Sequence, residues 1–314
     1  MIRLVVVRVV AGVATLLAAS VLIFTVMQLL PGDAATANLG GQIASANPED
    51  LAKLRHQYGL DRPWSVRYVD WIKGAVQGDF GTIPANNQPV AKLIGSPLKN
   101  TAVLLAVTLL LLFPLAIVIG TASALRRHTW VDGALQGVVL VFASLPSFVV
   151  GIALILLFSF TWKLLPAVSL SLSPQHLVLP VATLVLGWVP LTARMVRAGV
   201  VAALESDFVQ MARLKGISER KIVRRHVLPN SLVPAIQAFA LTAASMPAGI
   251  VIVEFLYSFQ GIGNTLVQSV ENRDTLTVEA ITLILVTVYV LANLASDVAT
   301  VLLTPRLRTE GGRG

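Results

Sequence analysis

Two carboxylates stand inside long apolar runs: Glu254, just before Phe255, and Asp297, ahead of a basic tail. Ionisable residues in apolar helices are expensive, and they mark ion relays, substrate contacts or buried pairs. Either could cycle a proton or a sodium ion. A salt bridge or an interhelical hydrogen bond is the plainer role, since Glu254 lies near one end of its run and Asp297 lies close to Arg306 and Arg308. The other reactive residue types form no constellation. The chain has no cysteine, which removes disulfides, thiolate catalysis and thiolate metal sites. His56, His128, His176 and His226 are scattered, without metal-ligand spacing. No G-x-x-x-x-G-K-S/T, H-E-x-x-H or G-x-S-x-G motif occurs. An enzyme is therefore not expected, nor a cofactor, metal or nucleotide held by this chain.

The most informative residues are mechanical. Residues 206–230 form a polar, basic segment between two apolar runs, so they lie in water on one face of a membrane. Phe208, Met211, Ala212 and Leu214 recur at helical spacing and form an apolar stripe. Gly216 suits the left-handed residue that ends a helix. Ser218 is placed to cap a second helix, where Ile222 and Val223 recur beside Lys221, Arg224 and Arg225. Two short helices meeting at a glycine, apolar on one side and basic on the flank, suit insertion into a groove of a cytoplasmic partner. A solvated loop that only enforces topology would need no apolar stripe.

The elements that carry these residues are membrane helices. Only 13% of the chain is charged and 55% is apolar, against about 25% charged in ordinary soluble domains. Continuous rather than alternating runs point to helices and away from a β-barrel. We read an all-α polytopic protein with six transmembrane helices, at about 4–30, 101–125, 133–161, 177–201, 232–255 and 278–303. The first run is too long for a cleaved signal and is retained. Arg3, Arg8, Arg126, Arg127, Arg194, Arg197, the bases of 206–230 and those of the tail fall on one side, which is cytoplasmic by the positive-inside rule. Both termini are then cytoplasmic. The chain divides into an N-terminal helix (1–30), a structured outer loop (31–100), a five-helix core (101–303) and a tail (304–314).

In the outer loop, Asn47-Pro48-Glu49-Asp50 starts a helix that stops near Gly59. A second helix carries Trp64, Tyr68, Trp71 and Ile72 on one face and ends at Gly78-Asp79-Phe80-Gly81. Trp64, Tyr68, Trp71 and Asp79 are candidates for an outer gate or a docking rim; a structured cover is the alternative. Pro114, Pro146, Pro180, Pro190 and Pro247 bend the membrane helices. Ser144 and Ser147 flank Pro146 and either face a polar path or bond back to their own helix.

The segment 206–230 resembles the cytoplasmic signature of permease subunits of bacterial ABC importers. That signature reads Glu-Ala-Ala, three residues, Gly, nine residues, then Ile-x-Leu-Pro. Gln210-Met211-Ala212, Gly216 and His226-Val227-Leu228-Pro229 keep its spacing, with Glu, the first Ala and Ile replaced. Ala212, Gly216, Ser218-Glu219-Arg220, His226 and Asn230 look like the version of the dipeptide/oligopeptide/nickel branch. The resemblance covers nearly the whole chain. Leu30-Pro31-Gly32-Asp33, Tyr58-Gly59-Leu60-Asp61-Arg62-Pro63, Gly78-Asp79-Phe80-Gly81-Thr82, Leu145-Pro146-Ser147-Phe148, Gly261-Ile262-Gly263, Arg273-Asp274 and Thr304-Pro305-Arg306-Leu307-Arg308 follow in the family's order.

The resemblance implies a B-type peptide permease with the type I ABC importer permease fold, in a bacterial cytoplasmic membrane. It implies a second homologous permease, two ATPase subunits (or one two-headed ATPase), and an extracytoplasmic substrate-binding protein. ATP and Mg2+ would sit on the ATPases, and no nucleic acid is involved. Asp207, Gln210, Met211, Ala212, Lys215, Gly216, Ser218, Glu219, Arg220 and His226 would carry ATPase coupling. The substrate would be a dipeptide or oligopeptide. Competing expectations are a nickel permease of the same family, an ion-coupled secondary transporter using Glu254 or Asp297, and an inert scaffold.

Overall fold

The computed structural model describes residues 2–29, 48–57, 60–83 and 86–303. The Leu30–Asp33 motif, the Asn47 cap, Tyr58-Gly59 and the tail from Thr304 lie outside the described residues. The described elements are α1 (Ile2–Leu29), α2 (Pro48–Gln57), α3 (Trp64–Gln77), β1 (Thr82–Ile83), β2 (Gln88–Pro89) and α4 (Val90–Leu125). Then come α5 (Trp130–Ser144), α6 (Ser147–Leu154), α7 (Pro174–Leu204), α8 (Asp207–Leu214) and α9 (Glu219–Ile222). The chain ends with α10 (Leu228–Leu256), α11 (Ile262–Glu271) and α12 (Thr275–Leu303). Wider π-type turns extend α6 through Ile155–Thr161 and join α9 to α10 through Val223–Val227. The second of these precedes Pro229, and a widened turn makes room for a ring that cannot donate a backbone hydrogen bond.

Five helices are long and apolar enough to cross a membrane, or six if the bent pair α5–α6 counts as one span. That pair departs from the single helix expected over 133–161. It turns by 103° between Ser144 and Ser147. Pro146 has no N–H, and it drives the preceding residue out of the helical region; Leu145 sits at φ −90°, ψ 130°. Helix α4 begins at Val90 rather than near Thr101 and runs 36 residues. At 1.5 Å per residue it is about 54 Å long, so one end stands clear of a bilayer core of about 30 Å. The polar residues Lys92, Lys99 and Asn100 hid that outer turn from a hydropathy reading. Helix α11 was not expected at all.

The core is α4, α7 and α10. Leu104, Leu112, Leu179, Leu184, Met246, Ile250 and Phe259 form one buried cluster. Lipid tails are as apolar as these side chains, so close packing, not the hydrophobic effect, selects the contacts. Gly120 shows how close: a Cβ there would lie 2.6 Å from the Ala193 carbonyl oxygen and 2.7 Å from Val196 Cβ. Tyr257, fully buried, places its hydroxyl 2.8 Å from Thr183 Oγ1 and 3.1 Å from the Gly151 carbonyl oxygen. Helix α1 lies outside this core against α12, with Val290 packed on Gly12 and Arg8 paired to Asp297.

Helix α3 folds back onto α1. Phe24 meets the rings of Trp64, Tyr68 and Trp71, with centroids 5.9, 5.7 and 5.5 Å away, and the Tyr68 hydroxyl lies 2.8 Å from Ser20 Oγ. Gly78 (φ 80°) ends α3 in the left-handed region, and the Asp79 carboxylate accepts from the Gly81 N–H at 2.9 Å. Ile83, Val90, Ile94, Ile262 and Ile281 then join the β1–β2 hairpin, α4, α11 and α12 in a second outer cluster.

Gly120→Ala forces the α4–α7 crossing apart against backbone, a cost of about 1–3 kcal/mol. Thermal unfolding of the purified chain in detergent should show a clear drop for Gly120→Ala. Gly133→Ala, which meets no atom within 4 Å, should show none.

Candidate functional site

The segment 206–230 is anchored before it is exposed. Helix α8 starts after Ser206, whose hydroxyl donates to the Ala203 carbonyl at 2.5 Å. Its residues divide by helical spacing. Val209 and Ala212 face inward and are buried with Val196, Val200, Ile222 and Val227. Phe208, Met211 and Leu214 face outward and are 43%, 58% and 83% exposed. The expected stripe therefore splits. Ala212 belongs to the chain's own core, together with Val209, which the stripe had omitted, and the exposed apolar face is Phe208, Met211 and Leu214. Asp207, Gln210 and Lys215 are exposed beside it.

Gly216 ends α8 at φ 72°. Its N–H donates to the Arg213 carbonyl at 2.9 Å, and the Ile217 N–H returns to Ala212 at 3.2 Å. No atom lies within 4 Å of a Cβ built there, so backbone conformation alone makes a side chain costly. Ser218 occupies the cap position of α9, but its side chain makes no capping bond; its carbonyl accepts from the Lys221 and Ile222 N–H groups. A side-chain staple spans the glycine instead. Arg213 Nε donates to Glu219 Oε1 at 2.7 Å and Nη2 to Oε2 at 3.3 Å. The Arg213 guanidinium holds the Glu219 carboxyl below the ordinary 4.5. A depressed carboxyl stabilises the fold above its unfolded value, and the contribution is lost as pH falls through the folded value. The staple thus persists at neutral pH. Both groups are exposed, so it contributes at most about 1 kcal/mol and weakens in salt. Arg220 is exposed, and His226 is half-buried with its carbonyl accepting from Asn230 Nδ2 at 2.6 Å.

A second polar cluster ties this segment to the membrane helices. Arg197 on α7 donates from Nη2 to Asp132 Oδ2 at 2.7 Å, and from Nε to Asp132 Oδ1 and Ser123 Oγ, both at 3.1 Å. Ser123 on α4 bonds to the same carboxylate, and Gln136 on α5 donates to Ser123 at 2.8 Å. Beside the cluster, Arg127 pairs with Glu205, the residue just before Ser206. Three helices therefore converge on one carboxylate at the base of α8. Sequence reading counted these residues only as topogenic charges. Asp132 in the first turn of a helix was the available signal, but its partner lies 65 residues away.

At the outer end of α10, Glu254 is fully buried. Its Oε1 accepts from Thr101 Oγ1 at 2.6 Å and its Oε2 from the N–H groups of Gly263 at 2.6 Å and Asn264 at 3.4 Å. The Ile262 N–H donates to Thr101 Oγ1 at 2.8 Å. A Cβ on Gly261 would lie 2.1 Å from Glu254 Oε1, and one on Gly263 would lie 2.5 Å from Val251 Cα. The Gly-Ile-Gly motif is thus the cradle of a buried carboxylate that joins α10, α4 and α11. Asp297 pairs with Arg8 at 3.0 Å; Arg306 and Arg308 lie outside the described residues.

The remaining sequence candidates do not converge with these. Trp64, Tyr68 and Trp71 turn toward α1, so that aromatic face is packed against the chain itself. Asp79 is exposed, with its carboxylate folded onto its own turn. The Ser144 hydroxyl donates to the Leu140 carbonyl at 2.8 Å, the back-bonded arrangement. Ser147 lies beside Gly187 of α7.

With this geometry in hand, comparison with known proteins is informative. Residues 116–309 match the family described as binding-protein-dependent transport system inner membrane component, and residues 1–119 match the N-terminal part of such membrane components. A putative peptide permease of Brucella suis is 31% identical over 311 residues, covering 96% of this chain and 97% of that protein. The glutathione transport system permease of Salmonella typhimurium is 33% identical over 301 residues, with the same coverage. A probable peptide ABC transporter permease of Sinorhizobium fredii is 30% identical over 308 residues, again with 96% and 97% coverage.

Removing one partner of a buried ion pair costs roughly 3–5 kcal/mol. Arg197 keeps 29% of its side chain exposed, so Asp132→Asn and Arg197→Gln should each cost less, about 1–3 kcal/mol. In thermal unfolding of the purified chain, the double variant should fall short of the sum of the two singles. Full additivity would mean that the two side chains do not act as a pair.

Proposed function

The chain belongs to the inner-membrane component family of binding-protein-dependent transport systems, the permeases of ABC importers; from that premise we propose that it moves peptides inward, driven by partner ATPases. It is a multi-pass protein of the bacterial inner membrane with the type I permease fold. The observation that carries the coupling reading is the two-faced α8. Phe208, Met211 and Leu214 present an apolar face to water, and a helix that lays such a face into a groove is a recurrent docking mode. Val209 and Ala212 root the same helix in the core. ATP and Mg2+ reside on two ATPase subunits, or one two-headed subunit, docked at this face. A second, homologous permease completes the path, and an extracytoplasmic binding protein delivers the substrate to the outer side.

ATP-driven closure of the ATPases pushes on α8, and the push reaches the membrane through rigid contacts. The staple Arg213–Glu219 keeps α8 and α9 moving together, and Arg127–Glu205 and Asp132–Arg197 carry α7 with α4 and α5. A peptide or peptide-like substrate is favoured by the relatives, whose names specify peptides and glutathione. The ion-coupled reading has no observation in its favour. Glu254 is occupied by Thr101 and the Gly263 N–H, and Asp297 by Arg8.

Gly216→Val places a β-branched side chain at positive φ, a strain of about 1–2 kcal/mol. In proteoliposomes holding the assembled importer, this variant should lose ATP-driven peptide uptake while basal hydrolysis persists. Met211→Asp should release the ATPases on co-purification. Retention of both uptake and stimulated hydrolysis by Gly216→Val would refute the coupling assignment.

Glu254→Gln tests the competing reading. It weakens the cradle, since an amide accepts less strongly than a carboxylate, yet whatever assembles should still require ATP and no proton or sodium gradient. Strict gradient dependence in the parent protein, abolished by Glu254→Gln, would establish the secondary transporter instead.

A further inference from the structure

The break between α5 and α6 is left uncovered by the described residues. Ala143, Ser144, Leu145 and Pro146 are all exposed, and the helix axis turns by 103° there. Pro146 supplies no N–H, so the Phe142 carbonyl loses its usual donor, and the extended Leu145 interrupts the bonds of the carbonyls that follow. In hydrocarbon each unsatisfied backbone group costs several kcal/mol, and non-helical backbone at membrane depth survives only inside protein or along a water-filled cavity. The Ser144 hydroxyl does not compensate, because it donates to Leu140 and adds no donor for the freed carbonyls.

A contrasting surface lies on the other side of α7. There α4 and α7 form a groove of about 580 Å3 lined by Leu111, Pro114, Leu115, Val118, Val181 and Val185. Every backbone group along it belongs to a helix, and the lining suits acyl chains. The break does not suit them. It also sits where three elements meet. Ser147 approaches Gly187 of α7, a Cβ on which would lie 3.7 Å from Ser147 Cβ. The next residue, Trp188, packs its indole on Gly249 of α10. Gly187, Trp188 and Gly249 are each partly exposed.

We infer that the exposed break at Ala143–Pro146 is a wall of the hydrophilic translocation path, offering its freed carbonyls to hydrogen-bond donors of the substrate. The chemical class that fits is a cationic or amide donor, as the ammonium and N–H groups of a peptide provide. Backbone, not the hydroxyls of Ser144 and Ser147, makes the contact. This rests on the reading of the chain as a transporter, and it deepens that reading by placing the path against α5, α6 and α7.

The absence of cysteine makes the test clean. Ser144→Cys and Leu145→Cys are introduced singly into the assembled importer in membrane vesicles, with Val118→Cys as the lipid-groove control and Lys163→Cys, exposed in the loop after Thr161, as the water-exposed control. The probe is 2-(trimethylammonium)ethyl methanethiosulfonate, followed as a mass shift of this chain. Thiolate, the reactive form, needs water, so both break positions should label at least about tenfold faster than Val118→Cys. The cationic reagent should also outpace its sulfonate analogue at Ser144→Cys by more than it does with free cysteine, because carbonyl dipoles favour cations. Labelling no faster than Val118→Cys, while Lys163→Cys reacts, overturns the proposal. So does cross-linking of the unlabelled break position to the second permease, which would make the break a subunit contact. An unchanged cation preference overturns the carbonyl lining. Labelling needs no ATP. Failure of the ATPase reading would appear separately, as uptake that ignores ATP in the same vesicles.

Discussion

A bilayer core offers no hydrogen-bond partner, and the polar groups of the described membrane helices are placed under that constraint. Backbone groups close on themselves in long helices, and where a helix widens, as at Ile155–Thr161 and Val223–Val227, it remains hydrogen-bonded as a π-type turn. Several buried side chains are matched within the protein, although Trp71 Nε1, Thr121 Oγ1 and Ser159 Oγ have no hydrogen-bond partner among the described residues. Asp132 is shared by Arg197 and Ser123, Glu254 by Thr101 and two N–H groups, and Thr192 lies 3.2 Å from Thr242. Leaving such a group unpaired costs several kcal/mol, whereas an exposed pair such as Arg213–Glu219 contributes about 1 kcal/mol or less. The interior pairs therefore determine the packing, and the surface pairs only trim it.

The segment 206–230 divides its apolar side chains. Phe208, Met211 and Leu214 are exposed, yet half of α8 is given to the chain's own core through Val209 and Ala212. In the proposed coupling, a helix rooted on one face and open on the other is the lever. A displacement of Phe208, Met211 and Leu214 cannot be absorbed locally, because α8 is stapled to α9 and follows directly from α7. Glu205 and Arg197 then tie that motion to the α4–α5 turn and to α5 itself. Helix α5 ends at the break, so the polar ties at the membrane surface and the irregular backbone within it are opposite ends of one element.

The outer side is built differently. Glu254 gathers α10, α4 and α11 around one carboxylate, and the absence of two Cβ atoms, at Gly261 and Gly263, makes the space. Helix α3 is pinned to α1 by a four-ring cluster instead of being presented outward. The family motifs at Gly78–Thr82 and Gly261–Gly263 are thereby given a physical basis. The first ends a helix with two positive-φ glycines and an Asp79 turn, and the second receives a buried carboxyl group.

Much was legible in the amino-acid sequence. Hydropathy located most membrane helix ends within a few residues, but not the start of α4 at Val90 or the break in 133–161; the pattern around Gly78 predicted the end of α3, and Gly216 was recognisable as a left-handed helix terminus. The spacing around Gly216 identified the family, because short-range backbone demands are written in adjacent residues. The break at Pro146 was foreshadowed only as a bend; the 103° turn depends on how α6 packs through Gly151 against Thr183 and Leu256. The pairing of Arg197 with Asp132, of Glu254 with Thr101, and of Asp297 with Arg8 required the tertiary structure. So did the inward turn of Ala212 and of the Trp64, Tyr68 and Trp71 face. Helical periodicity tells which residues share a face. It cannot tell which face meets protein, since lipid and protein interior are equally apolar; only the packing of distant helices decides that.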